Sequence, residues 1–320
     1  MNDIEDAFAQ NQRLGRGVNI IGYDDALWRS SPEARMQDKH FRLIKEAGFC
    51  HVRINLHPFR FMGDAPDYPI SPSWLRTLDW AVKQALANDL VVILDMHEFT
   101  AMGRDPEGLK PKYLAVWEQL ATRYQECPSE VIFELLNEPN GALTPALWNQ
   151  FLTEPYDIIR RTNADRTLII GPAFWNGIDY IEDLELPEAD RNIIVTVHYY
   201  HPMAFTHQGA SWSEHRDKSN IEWAGTPEEQ AAIIHDLDKV RGWAEQQNRP
   251  ILLGEFGAYD KADMASRARY TSFVCRQAER LGWSWSYWQF DSDFIVYDID
   301  QDCWVAPIRD ALIPPETWER

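Results

Sequence analysis

Short apolar runs rich in β-branched residues recur along the chain, and longer amphipathic stretches separate them. The runs predict strands over 17–22 (GVNIIG), 50–56 (CHVRINL), 90–96 (LVVILDM), 131–137 (VIFELLN), 167–171 (TLIIG), 192–199 (NIIVTVHY), 250–256 and 283–289. They show little of the alternation of a half-exposed sheet, which is the pattern of parallel strands buried on both faces. The intervening stretches predict helices over 34–47, 73–87, 110–125, 145–163, 227–247 and 263–281, with one helical turn near 177–183. Gly48 suits the end of the first. Thr226, Pro227 and Glu229 form an N-cap, a first-turn proline and a capping-box partner for the fifth. Eight strands alternating with helices, without a linker or low-complexity tract, predict a single (β/α)8 barrel domain over residues 1–320. The competing open sheet would carry a Gly-rich phosphate loop after its first strand, and IIGYDD is not one.

Polar residues fall at the ends of these runs. Arg53 and Asn55, Asp95 and His97, and Asn137 and Glu138 close the second to fourth. His198, Tyr200, Glu255, Trp288 and Gln289 close the later ones. Such groups are costly to bury without a partner or a task, and a barrel gathers all its C-terminal strand ends at one face. Two carboxylates in one water-poor cleft are what glycosidic cleavage needs: one protonates the leaving oxygen, the other attacks the anomeric carbon or activates water. Proximity of like charges raises one pKa and keeps Glu138 or Glu255 protonated. In this reading Arg53 keeps Glu255 ionised, Tyr200 and His198 orient the two Glu side chains, and Asn137 meets the sugar 2-hydroxyl.

Those residues resemble a known family. LLNEPN at 135–140 is similar to the acid/base signature of glycoside hydrolase family 5, within the wider clan of (β/α)8 retaining glycosidases. An Asn-Glu pair at the end of the fourth strand and a Glu at the end of the seventh match Asn137-Glu138 and Glu255 in LLGEFG. HVRIN (Arg53), DMH (His97), VHYY (His198, Tyr200) and YWQF (Trp288) extend the resemblance over about residues 14–312. HPMAFTHQGASW and GEFGAYDKADMASRARYTSF look closest to the bacterial endo-β-1,4-glucanase branch, some of whose members accept mannan. The resemblance implies that Glu138 is the acid/base and Glu255 the nucleophile. It places Arg53, His97, Asn137, His198 and Tyr200 around the cleaved sugar, with Trp288 as its platform. It also implies retention of configuration and hence carboxyl groups roughly 5–5.5 Å apart. Two departures stand out. His97-Glu98 replaces a His-His pair, so Glu98 either meets sugar hydroxyls or pairs with Arg104. Arg53-Ile54-Asn55 replaces Arg-x-Pro.

Composition narrows the partners. With 31 Lys+Arg against 50 Asp+Glu the net charge is -19, which disfavours nucleic acid and anionic membranes and suits a neutral β-glucan or related polysaccharide. Fourteen Trp supply rings that stack on sugar faces; Trp28, Phe59, Trp175, Trp212 and Trp223 fall in or near loops on the catalytic side. Cys50, Cys127, Cys275 and Cys303 lack CxxC spacing, so buried free thiols are expected rather than disulfides or zinc. No cofactor is expected, nor a catalytic metal: an amidohydrolase site needs His-x-His on the first strand, where Asn19-Ile20-Ile21 stands. Of HYYH at 198–201, alternation turns only one imidazole inward. The N-terminus lacks an apolar segment of the secretory kind, so a cytoplasmic monomer is expected as written, or a secreted one had a leader been removed.

Overall fold

The computed structural model describes residues 6–20 and 34–315. Eight parallel strands close into a barrel in sequence order: β1 (Arg16–Ile20), β2 (His51–Leu56), β3 (Val91–Met96), β4 (Val131–Glu134), β5 (Leu168–Ile170), β6 (Ile193–Tyr199), β7 (Ile251–Phe256) and β8 (Ser284–Tyr287), with β8 pairing back onto β1. Each of the eight expected strands is present. Residues 21 and 22 of the first lie outside the described residues. A short antiparallel hairpin, β9 (Tyr297–Asp298) and β10 (Cys303–Trp304), follows the barrel. No helix among the described residues is long and apolar enough to cross a membrane.

The strands read as continuously apolar because their two faces serve different cores. Outward residues such as Val52, Leu94, Phe133, Val195 and Leu253 pack under the helices. Inward residues near the strand starts (Val91, Ile93, Ile132, Ile169, Ile194 and Leu252) form a second cluster, which Ala7 and Leu14 of the helix Ala7–Leu14 close from below. Above that layer the inward positions turn polar: Asn19, Arg53, Asn55, Asp95, Glu134, His198 and Glu255 are all buried. The alternation expected of a strand is therefore present only in the upper half of the barrel.

Pairing between β6 and β7 shifts by one residue: Val197 is opposite Leu253 but His198 is opposite Glu255, so Gly254 is an extra residue on β7. A Cβ there would lie 2.4 Å from Thr196 Oγ1 and 3.0 Å from His198 Nε2, which only glycine avoids.

Helix boundaries differ from expectation where capping decides them. The first long helix begins at Asp38, because Gln37 and His40 form a capping box. The helix expected from 110 begins at Pro106, with Asp105 accepting from the Gly108 N–H. The stretch 145–163 is two helices, Pro145–Phe151 and Thr153–Thr162. Pro155 has no N–H to offer the carbonyl of Phe151, so the helical ladder is interrupted there. Helix Pro227–Gln247 carries the expected Thr226–Glu229 box, and 177–183 holds the 3-10 turn Ile178–Asp183. All four cysteines are free thiols, but only Cys275 is buried; Cys303 is exposed.

Candidate active site

Arg53 on β2 is the hub of the polar layer. Its Nε and Nη2 donate to Glu134 Oε2 and Oε1 at 2.7 and 2.8 Å. Nη1 donates to Asn19 Oδ1 at 2.7 Å and Glu255 Oε1 at 2.9 Å, and Nη2 also to Asn137 Oδ1 at 2.7 Å. All five N–H groups are thus used, in a fully buried guanidinium. Asp95 adds a third carboxylate 3.2 Å away.

Asp95 Oδ2 receives Asn55 Nδ2 at 2.8 Å and lies 2.5 Å from His97 Nδ1, which fixes the His97 ring. That ring stacks on Trp288 with centroids 5.6 Å apart and planes 9° from parallel. The Asn137 amide lies 3.4 Å from His97 Nε2.

Glu255 is gripped on both oxygens: Oε1 by Arg53, and Oε2 by the Tyr200 hydroxyl at 3.0 Å. Glu138 lies four residues beyond the end of β4, with a left-handed φ of 42°, uncommon for a residue other than glycine. Its Oε1 is 2.7 Å from His198 Nδ1, which is also 3.5 Å from Glu255 Oε2. A carboxylate oxygen of each Glu and a His198 nitrogen all lie within 4.8 Å of one another.

Electrostatics separate the two carboxyls. Burial raises the pKa of both. For Glu138 the next largest influence is the charge of Glu255, which raises it further. For Glu255 the next is the charge of Arg53, and hydrogen bonds from Tyr200 and Arg53 also pull it down. The shared proton therefore resides on Glu138. Arg53 favours the ionised form of Glu255, as expected, but burial outweighs it. The Arg53 charge is divided with Glu134 and Asp95, and burial leaves Glu255 above the ordinary carboxylate range. His198 is neutral, since burial first and the Arg53 charge second lower its pKa.

All eight residues singled out in the sequence converge here: Glu138, Glu255, Arg53, His97, Asn137, His198, Tyr200 and Trp288. His201, by contrast, is exposed. Three residues escaped notice. Glu134 binds Arg53 through both oxygens; a charge in the middle of the apolar run VIFELL was the available signal. Asn19 bridges Arg53 and the Gly254 carbonyl. Asn176 contacts His198 and carried no sequence signal.

The loop aromatics divide. Trp223 and Phe59 are buried packing residues, whereas Trp175 and Trp212 are 51% and 58% exposed. Trp28 lies outside the described residues. Glu98 Oε1 accepts the Phe59 N–H at 2.7 Å, while Lys112 donates to the Phe59 carbonyl at 2.6 Å. Together they clamp one backbone unit of the loop after β2. Glu98→Ala strands that amide beneath a buried ring and should cost roughly 1–3 kcal/mol, read as a lowered midpoint of urea unfolding. An unchanged midpoint would show that the clamp does not hold the loop.

Residues 12–293 match the family model described as Cellulase (glycosyl hydrolase family 5). Over 320 aligned residues, covering 98% of the chain, it is 28% identical to endoglucanase H of Acetivibrio thermocellus. It is also 28% identical to endoglucanase 3 of Fibrobacter succinogenes over 89% of its length. The chain spans only 34% and 50% of those two relatives. Solved structures of Thermotoga maritima Cel5A, one in complex with mannotriose and one with cellobiose, superpose with a TM-score of 0.91 at 40% and 41% identity. They align with 96% of this chain and 100% of theirs.

Proposed function

Because the chain belongs to the cellulase family, glycosyl hydrolase family 5, we propose that it is a retaining endo-β-1,4-glucanase with Glu138 as acid/base and Glu255 as nucleophile. The observation that carries this reading is the facing of the two carboxyls, with an oxygen of each within 4.8 Å of the other. So close an approach supports a retaining pair, whose carboxyl groups stand ~5–5.5 Å apart, over an inverting pair at ~6.5–9.5 Å.

In the first step a Glu255 oxygen bonds to the anomeric carbon while the bond to the leaving oxygen breaks, and that oxygen takes the Glu138 proton. Arg53 and Tyr200 hold the attacking carboxylate in line, which lowers the entropic part of the barrier. The Glu138 carboxylate then removes a proton from water as its oxygen attacks the same carbon. Glu255 leaves as carboxylate, and Glu138 is protonated again. Asn137, its Oδ1 tied to Arg53, presents its amide toward the sugar 2-hydroxyl, and Trp288 forms the floor.

Reducing-end release should be fastest on β-1,4-glucan among glucan, mixed-linkage glucan, xylan and mannan, and proton NMR should show the β-anomer as first product. An α-anomer would remove the double displacement.

The pH profile follows from the same pair. The active form has Glu255 ionised and Glu138 protonated, so kcat/KM should rise as pH climbs through the lower ionisation and fall through the upper. Burial lifts both, so the acid limb should lie above ~4.3, the ordinary glutamate value. An acid limb below that would contradict the assignment.

A second reading keeps the mechanism and makes mannan or glucomannan the preferred substrate. The mannotriose complex of a structure 40% identical over 96% of the chain favours it. A higher kcat/KM on mannan than on glucan would select it.

A further inference from the structure

After β5 the chain makes an unusual turn. Phe174, Trp175 and Asn176 are consecutive left-handed residues, with φ of 52°, 68° and 50°. Such a conformation costs on the order of 1 kcal/mol or more for each residue other than glycine, so something must hold it. Two contacts do, and both lead to the acid/base. The Trp175 N–H donates to the carbonyl of Pro139, the residue after Glu138, at 3.2 Å. The Asn176 side chain, fully buried, sets its Nδ2 3.3 Å from His198 Nε2. The space it occupies is reserved, since a Cβ on Gly171 would lie 2.4 Å from Asn176 Oδ1.

The hydrogen-bond directions then propagate. An amide Nδ2 only donates, so His198 Nε2 must be the unprotonated ring nitrogen. The single proton of the neutral imidazole is therefore on Nδ1, which points at Glu138 Oε1 from 2.7 Å. Oε1 accepts that hydrogen bond and cannot also carry the acid proton along the same line. The proton is confined to Oε2, the oxygen left free to meet the glycosidic oxygen.

We infer that Asn176 is a positioning residue for acid catalysis: through the His198 tautomer it directs the Glu138 proton to the oxygen that faces the substrate. This rests on the proposed glycosidase reading and deepens it. Glu138 alternates between acid and base in that cycle, and the relay serves both roles. In the base state Oε1 keeps the Nδ1–H as its donor, and Oε2 remains the oxygen that takes the proton from water.

Cellobiosides that differ only in leaving group provide the test. A dinitrophenyl leaving group departs without protonation, whereas an unsubstituted phenyl group needs the acid. The variants are Asn176→Gly, which suits the left-handed backbone while deleting the amide, and Asn176→Asp, which keeps the shape but removes the donor. The parameter is kcat/KM, which reports the steps up to the glycosyl-enzyme. Both variants should lose about 10–100-fold on the phenyl glycoside, part of the ~10²–10⁴ that acid catalysis supplies. On the dinitrophenyl glycoside they should stay within about twofold of wild type. Nitrogen-15 NMR of labelled histidine should place the wild-type His198 proton on Nδ1 and show it displaced in Asn176→Asp. Equal losses on both glycosides would make Asn176 a scaffold residue only and overturn the inference. No loss on either, or a wild-type proton on Nε2, would overturn it as well. Failure of the wild type to cleave either glycoside would instead remove the glycosidase reading on which it rests.

Discussion

Glu255→Ala will abolish polysaccharide cleavage, with kcat/KM down by roughly four orders of magnitude or more, while the protein stays folded. The scale is what loss of a covalent nucleophile costs when its partners act as a unit. Stability should not follow activity down. Glu255 is one of three buried carboxylates that draw on the Arg53 charge, and its burial opposes its ionisation. Removing it relieves a desolvation penalty and leaves Arg53 bound to Glu134, Asn19 and Asn137. The urea midpoint should therefore be unchanged or higher, as when an active-site residue held for chemistry is deleted. Azide added with dinitrophenyl cellobioside should enter the vacated space and yield the α-glycosyl azide. A β-azide, or residual glucan cleavage near the wild-type rate, would assign the nucleophile elsewhere.

The second large effect is on the fold. Arg53→Met keeps an unbranched apolar stem but leaves Asp95, Glu134 and Glu255 buried without their cation. Breaking a buried ion network at one partner costs about 3–5 kcal/mol. The loss should depend on pH in a definite direction. With the guanidinium gone, the folded-state pKa values of these carboxyls rise further above their unfolded values. The penalty is then small at low pH, where the groups are protonated in both states, grows as pH rises from the unfolded values to the folded ones, and levels off above them. Adding Glu134→Gln to Arg53→Met should recover a good part of the stability, because the amide is neutral at every pH. Activity should not return, since Glu255 still lacks its Arg53 contact. Urea unfolding of the three proteins at pH 5 and pH 8 checks this. A loss equal at both pH values would mean that packing around Arg53, and not its charge, supports the barrel.

The rim of the site was legible because a barrel turns a one-dimensional regularity into a place: every apolar run that ends in a polar residue delivers it to the same face. Arg53, Glu138 and Glu255 were found that way, and so was the barrel. Glu134 was not, because it lies inside its run, and a run read as apolar throughout hides one charge that points inward to Arg53. The roles of Trp175 and Trp223 could not be told apart either: a loop tryptophan packs or stands free according to the turn that carries it. Asn176 was beyond reach. Its position depends on three successive left-handed residues, two of them Phe174 and Trp175, which no propensity would place there. Glu98 has a task that its departure from a familiar pattern did not signal, since its carboxylate holds the Phe59 backbone.

The extra residue on β7 bears on how such a site is reached at all. In a regular strand, facing and height are locked together: adding one residue advances a side chain by ~3.3 Å and also turns it to the opposite face. The bulge at Gly254 breaks that lock, because Glu255 stands level with His198, one step lower than regular pairing with β6 would put it, and points inward where regular alternation after Leu253 would turn it outward. With regular pairing at the same chain length, Glu255 would stand opposite Tyr199 and face away from the barrel axis, turned from the bond to be cut. One residue absorbed by the strand thus resets both the facing and the height of the carboxylate that follows it, a change that no substitution in regular register can reproduce.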